Sequence, residues 1–183
     1  MIKLIERTLS CPFAMPFLMA LISAAALGMA LISQYVFGLA PCNLCIIQRF
    51  PFGIVIGLGL IGLLFAKKNR KLSVATMGLI SLTFFANSVI AFYHTGVELK
   101  WWKSFLEGCA VPQLSSDINE MMAQIEAATK VVPCDEIPWS DPIFNLSMAN
   151  YNVIFCFGLG VIAIVSARLM WKNREMKSPH SSN

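Results

Sequence analysis

The stretch Pro41-Cys42-Asn43-Leu44-Cys45-Ile46-Ile47-Gln48-Arg49 combines two cysteines separated by two residues with a fixed cation close by. If a helix starts near Cys42, the i, i+3 spacing of the cysteines and the i, i+4 spacing of Cys45 and Arg49 put both sulfurs and the guanidinium on one face. A thiolate near a helix N-terminus and beside an arginine is stabilised by the helix dipole and by the positive charge, so one of the two thiols should ionise more readily than a free one. Such a sulfur is a nucleophile and an electron donor. Judged alone, Arg49 could be a snorkelling anchor at a bilayer edge. Its register with Cys45 is what makes it a candidate site residue.

Four further cysteines stand at 11, 109, 134 and 156. Cys11 and Cys156 lie in or next to apolar runs and read as small buried hydrophobes. Cys109 and Cys134 flank a polar segment in which Ser115-Ser116-Asp117 precedes Ile118, Met121, Met122 and Ile125, the pattern of a capped amphipathic helix. A disulfide between them would restrict the unfolded loop by about 3.5 kcal/mol on the chain-entropy model. Three readings of Cys42, Cys45, Cys109 and Cys134 follow: two redox pairs that exchange with each other, an all-cysteine metal site, or two inert staples. Zinc ribbons use two closely spaced pairs, and here one pair is widely spread, which disfavours metal. Inert staples leave Arg49 and His94 without a role.

The elements that must carry these residues are membrane helices. Of the 183 residues 57% are hydrophobic and 13% charged, where a soluble domain carries about 25% charged residues. Mean hydropathy is +0.67. Apolar runs over 13–33, 46–66, 72–93 and 146–167 are each long enough, at about 1.5 Å per residue, to cross a hydrocarbon core of about 30 Å. The first could be a signal peptide, but it is long for one and no cleavage site precedes Gln34. Gly53 and Gly57 form a small-xxx-small pair suited to close helix contact. Asn87 and His94 fall on one face of the third span, and Gly96 is a plausible helix stop. The fold class is therefore all-α: a single four-helix membrane domain with outer loops over about 34–45 and 95–145.

Charge placement orients it. The N-terminus, residues 67–71 and the C-terminus hold 10 of the 14 Lys and Arg, whereas 95–145 holds 3 of them and 8 of the 10 acids. The positive-inside rule puts both termini in the cytoplasm and the cysteine-bearing loops outside, where disulfides persist. Basic residues split among short segments give no support to nucleic-acid binding.

Nearly the whole chain resembles the DsbB family of bacterial inner-membrane disulfide bond formation proteins. The resemblance rests on four spans, Pro-Cys-x-Leu-Cys-x-x-x-Arg at 41–49, Tyr-His-x-Gly-Val-Glu at 93–98, and Cys109 with Cys-Asp-Glu-x-Pro-Trp at 134–139. It implies a thiol oxidase with its redox cysteines on the periplasmic side, moving electrons from a soluble periplasmic dithiol protein of the DsbA type into membrane quinone, ubiquinone before menaquinone. By analogy the partner attacks Cys109, Cys134 exchanges with Cys42, and Cys45 meets the quinone, with Arg49 and His94 facing the same pocket. Gln48 departs from the acid common at that position. The reading from another class is a membrane scaffold whose disulfides are only structural.

Overall fold

The computed structural model describes residues 2–105, 133–137 and 139–175, so Cys109 and the amphipathic helix expected near 115–125 lie outside the described residues. Among the described residues six helices follow in order: α1 (Ile2–Leu9), α2 (Ala14–Tyr35), α3 (Asn43–Ile47), α4 (Arg49–Phe65), α5 (Arg70–Glu98) and α6 (Met148–Glu175). Four spans, Ala14–Tyr35, Asn43–Phe65, Arg70–Glu98 and Met148–Asn173, are long and apolar enough to cross a membrane. The all-α, four-span architecture expected from hydropathy is thus present. The short helix α1 was not expected from the opening Lys3-to-Arg7 segment.

Helix α5 packs along α6 and along α4, and α4 along α2. Their shared core is Met15, Met19, Phe52, Val55, Met77, Ile80, Phe84, Cys156 and Met170. Lipid is as apolar as these side chains, so burial alone does not hold spans together, and close packing and polar contacts must. Serines supply the polar contacts. Ser81 Oγ donates to the Gly160 carbonyl (2.8 Å), Ser88 Oγ to Val153 (3.0 Å), Ser166 Oγ to Leu9 (2.6 Å) and Ser73 Oγ to Pro12 (3.1 Å).

Close backbone approach falls on glycines other than those singled out by pattern. Gly53 and Gly57 have nothing within 4 Å of where a Cβ would stand, whereas a Cβ at Gly59 would meet Ala20 Cβ and the Pro16 carbonyl at 2.8 Å, and one at Gly62 would meet Thr76 at 2.9 Å. The spacing i, i+4 correctly suggested a small-residue contact but chose the exposed face of α4; the buried face carries the pair at i, i+3.

The third span is also longer than expected. Gly96 does not stop α5, which runs to Glu98 and ends with Lys100 in the left-handed region (φ 59°). There the Trp101 N–H reaches the Gly96 carbonyl (2.8 Å) and the Lys100 N–H the Val97 carbonyl (3.1 Å), the two bonds of a Schellman cap. What needs a glycine at 96 is the Trp102 ring, whose Cζ2 would lie 2.0 Å from a Cβ there. Trp102 stacks on Tyr93 (centroids 5.9 Å, 14°) and donates Nε1–H to the Tyr93 carbonyl (3.1 Å), while the Tyr93 hydroxyl accepts from the Phe105 N–H (3.2 Å). His94 lies within this extra turn and is buried.

The second span is broken near its start. Pro51 has no N–H to offer the Ile47 carbonyl, so α3 ends there and Gln48 forms a turn before α4 begins. At the opposite end of the bundle, Arg70 Nη2 donates to the Met170 carbonyl (3.4 Å), which places the 67–71 basic loop beside the end of α6.

The glycine geometry makes a direct prediction. Gly59→Val should destabilise the bundle by about 1–3 kcal/mol, the usual cost of overpacking, and Gly53→Val should not. Thermal unfolding in detergent checks this; equal effects at the two positions would contradict the packing described.

Candidate functional site

Cys42 is the N-cap of α3, and its sulfur accepts the Cys45 backbone N–H at 3.3 Å. Cys45 Sγ lies 3.2 Å away, within S–H···S hydrogen-bond reach, and both are free thiols. His94 Nε2 approaches Cys42 Sγ to 3.5 Å from α5. Hydrogen bonds from Cys45 and then the His94 contact hold the Cys42 thiol well below the ordinary thiol range, against the opposing effect of burial. The readily ionised thiol expected of this motif is therefore Cys42. Arg49 is not its cause, because the Arg49 Nη1 donates instead to Gln34 Oε1 at 2.6 Å, across the turn that joins α2 to α3.

A chain of polar groups runs from this dithiol into the bundle. Gln48 Nε2 bonds His94 Nδ1 (2.9 Å), and Gln48 Oε1 accepts from Asn152 Nδ2 (2.6 Å). Asn152 Oδ1 in turn accepts from Cys156 Sγ (3.1 Å), and Asn87 Nδ2 reaches both Cys156 Sγ and the Gln48 carbonyl (3.3 Å each). On the other side of His94, Glu98 Oε1 lies 3.7 Å from Nε2, and Glu98 Oε2 accepts from Ser147 Oγ. With Gln48 Oε1 committed to Asn152, its amide N–H faces His94 Nδ1, which leaves the imidazole proton on Nε2, pointing at Cys42.

Beside the dithiol opens a cavity of about 480 Å³. Its walls are mostly apolar, from Leu27, Met29, Phe52 and Phe155 among others, and Cys45, Gln48, Arg49, His94 and Asn152 are among its polar groups. Size and lining are those of a site for a small, largely apolar molecule with a few polar atoms. Cys45 and Arg49 thus face one space, as their spacing suggested.

Cys134 is buried and disulfide-bonded, and packs in one cluster with Cys42, Leu44 and Val97. A sulfur already in a disulfide is no metal ligand, so the four-cysteine metal reading is not realised. Cys42, Cys45, Arg49, His94 and Cys134 converge at one end of the bundle; Cys109 lies outside the described residues. Cys156, read as a small hydrophobe, is buried but belongs to the polar chain. Gln48, Asn152, Glu98 and Ser147 were not singled out as site residues. Their signal was available: uncharged polar residues and an acid at the edges of apolar runs, which in a membrane must find partners inside the protein.

Comparison with known proteins shows the family to which the chain belongs. Residues 13–166 match the family described as Disulfide bond formation protein DsbB. The chain is 30% identical over 158 residues to Disulfide bond formation protein B of Cupriavidus necator, covering 85% of this chain and 92% of that one. It is 31% identical over 166 residues to the protein of the same name from Cupriavidus pinatubonensis, with the same coverage, and 40% identical over 104 residues to that of Ralstonia nicotianae, covering 57% of this chain and 60% of the relative. The free vicinal dithiol at the head of a membrane span is thus set in a sequence that belongs to the DsbB family, membrane proteins with a disulfide oxidoreductase role in disulfide bond formation.

Proposed function

We propose that the chain oxidises a DsbA-type dithiol protein on the periplasmic side of the bacterial inner membrane and passes the electron pair through Cys109/Cys134 and Cys42/Cys45 to membrane quinone. The observation that carries this reading is the position of the dithiol between two neighbours. Its inner sulfur, Cys42, packs with Cys134, and its outer sulfur, Cys45, opens into the apolar cavity.

The exchanges balance as follows. A partner thiolate attacks Cys109 of a Cys109–Cys134 disulfide, forming a mixed disulfide and releasing Cys134 as thiolate. Cys134 attacks Cys42 of a Cys42–Cys45 disulfide, forming Cys134–Cys42 and releasing Cys45. The partner's second thiolate then breaks the mixed disulfide and leaves as its oxidised form. The freed Cys109 attacks Cys134, restoring the loop disulfide and releasing Cys42. Two electrons now reside on Cys42 and Cys45. A low thiol pKa makes Cys42 a good leaving group in that last step.

A quinone, when bound, supplies an acceptor for two electrons and two protons. The cavity fits one: apolar walls for a ring and its tail, and Arg49 and His94 as groups to hold a ring oxygen. Gln48 orients the His94 ring, and His94 Nε2–H stabilises negative charge on the dithiol. The positive charges at 67–71 and in α6 gather at the far end of the bundle, which supports a cytoplasmic assignment for that end.

Cys45→Ser should abolish quinone-dependent oxidation of a reduced dithiol partner while leaving the bundle folded; normal turnover in that variant would sink the relay. Arg49→His should raise the apparent KM for quinone, and an unchanged KM would demote Arg49 to an anchor. The thiolate absorbance of the reduced protein should persist as pH falls through the ordinary thiol range, about 8.5, and disappear only below the depressed Cys42 pKa. His94→Ala should move that titration upward; an unshifted curve would remove His94 from the dithiol's electrostatics.

A further inference from the structure

We propose that Cys42, Cys45 and His94 of the reduced protein form a binding site for a thiophilic divalent cation, with Zn²⁺ as the probe, and that occupancy locks the dithiol against exchange. The three donor atoms all lie within 4.8 Å of one another. A tetrahedral zinc with Zn–S about 2.3 Å and Zn–N about 2.0–2.1 Å needs sulfurs about 3.8 Å apart and sulfur and nitrogen about 3.5 Å apart. Cys42 Sγ and His94 Nε2 already stand at 3.5 Å, and the sulfurs, at 3.2 Å, need only a small side-chain rotation to separate.

The surroundings suit a cation. Two thiolates neutralise its charge, Cys42 being ionised already and the Cys45 proton being released to solvent on binding, and Glu98 adds an acid 3.7 Å from His94 Nε2. Ligation through Nε2 moves the imidazole proton to Nδ1, which then requires an acceptor. Gln48 provides one by turning its amide. Asn152 then turns likewise, accepting from Gln48 and presenting its N–H to the Cys156 sulfur, so the chain of contacts survives in the reverse sense. Three protein ligands leave a fourth position for water, on the side where Cys45 and His94 line the cavity. A Cys42–Cys45 disulfide offers no thiolate, so the site exists only in the reduced protein. Metal ligation also occupies both sulfurs that exchange requires.

The proposal goes beyond the quinone relay and is tested without it. The full chain carrying Cys109→Ser and Cys134→Ser, whose only vicinal pair is Cys42/Cys45, is titrated in detergent with Zn²⁺ against a chromogenic chelator, with no quinone or protein partner present. One zinc per reduced chain and none per oxidised chain is expected. Gln48→Ala should weaken binding about 10- to 100-fold, as loss of an outer-shell partner does, and Cys45→Ser should abolish it. Equal uptake by both redox forms, no uptake by the reduced form, or an affinity unchanged by His94→Gln would each overturn the proposal. Should the substituted chains fail to fold, the unsubstituted chain decides: zinc should raise the Tm of the form reduced at Cys42/Cys45 and not that of the oxidised one. An unchanged Tm would overturn the proposal.

Discussion

A polar side chain inside a bilayer has no water to fall back on, so leaving one unanswered by another group of the protein is costly. That constraint shapes this bundle more than apolar burial does. Asn87, Cys156, Asn152, Gln48 and His94 come from α5, α6 and the break before α4, and they meet because each satisfies the next. The chain ends at Cys42. The helices are therefore fixed in rotation and height by the same contacts that aim an imidazole N–H at a sulfur, and the architecture and the chemistry of the site share one cause.

The break in the second span is part of this arrangement. Pro51 withholds an N–H from the Ile47 carbonyl and ends α3, and at the turn that follows the Gln48 carbonyl accepts from Asn87 Nδ2 of α5. At the start of α3 the Cys42 sulfur caps the helix by accepting the Cys45 N–H, and the two sulfurs stand 3.2 Å apart. A low-pKa thiol is thus built from an N-cap, a neighbouring thiol and a histidine, while the arginine is held by Gln34 at the cavity wall.

The four spans were legible in hydropathy, and Cys42, Cys45, Arg49, His94 and Asn87 were legible because they interrupt apolar runs at helical spacing. The link between His94 and Gln48 was not, since the two are 46 positions apart and on different helices. Arg49's partner was hidden for a similar reason: Gln34 sits across a hairpin turn whose geometry no periodicity encodes. Gly53 and Gly57 fitted a spacing rule that says nothing of which face a neighbour occupies, and Gly59 and Gly62 took the contact. Gly96 looked like a terminator because left-handed caps favour glycine, yet Lys100 adopts that conformation and Gly96 clears space for an indole. The contact between Cys134 and Cys42 is tertiary and has no local signature.

The indole over Gly96 has a consequence for how such chains can diverge. Tyr93, Gly96, Trp102 and Phe105 interlock, so a bulkier residue at 96 would evict the ring, unstack the tyrosine and release the peptide that leads into the cysteine-bearing arm. These four positions must change as a block or not at all. Anyone grafting the arm onto a different bundle would have to transplant the last turns of its supporting helix along with it.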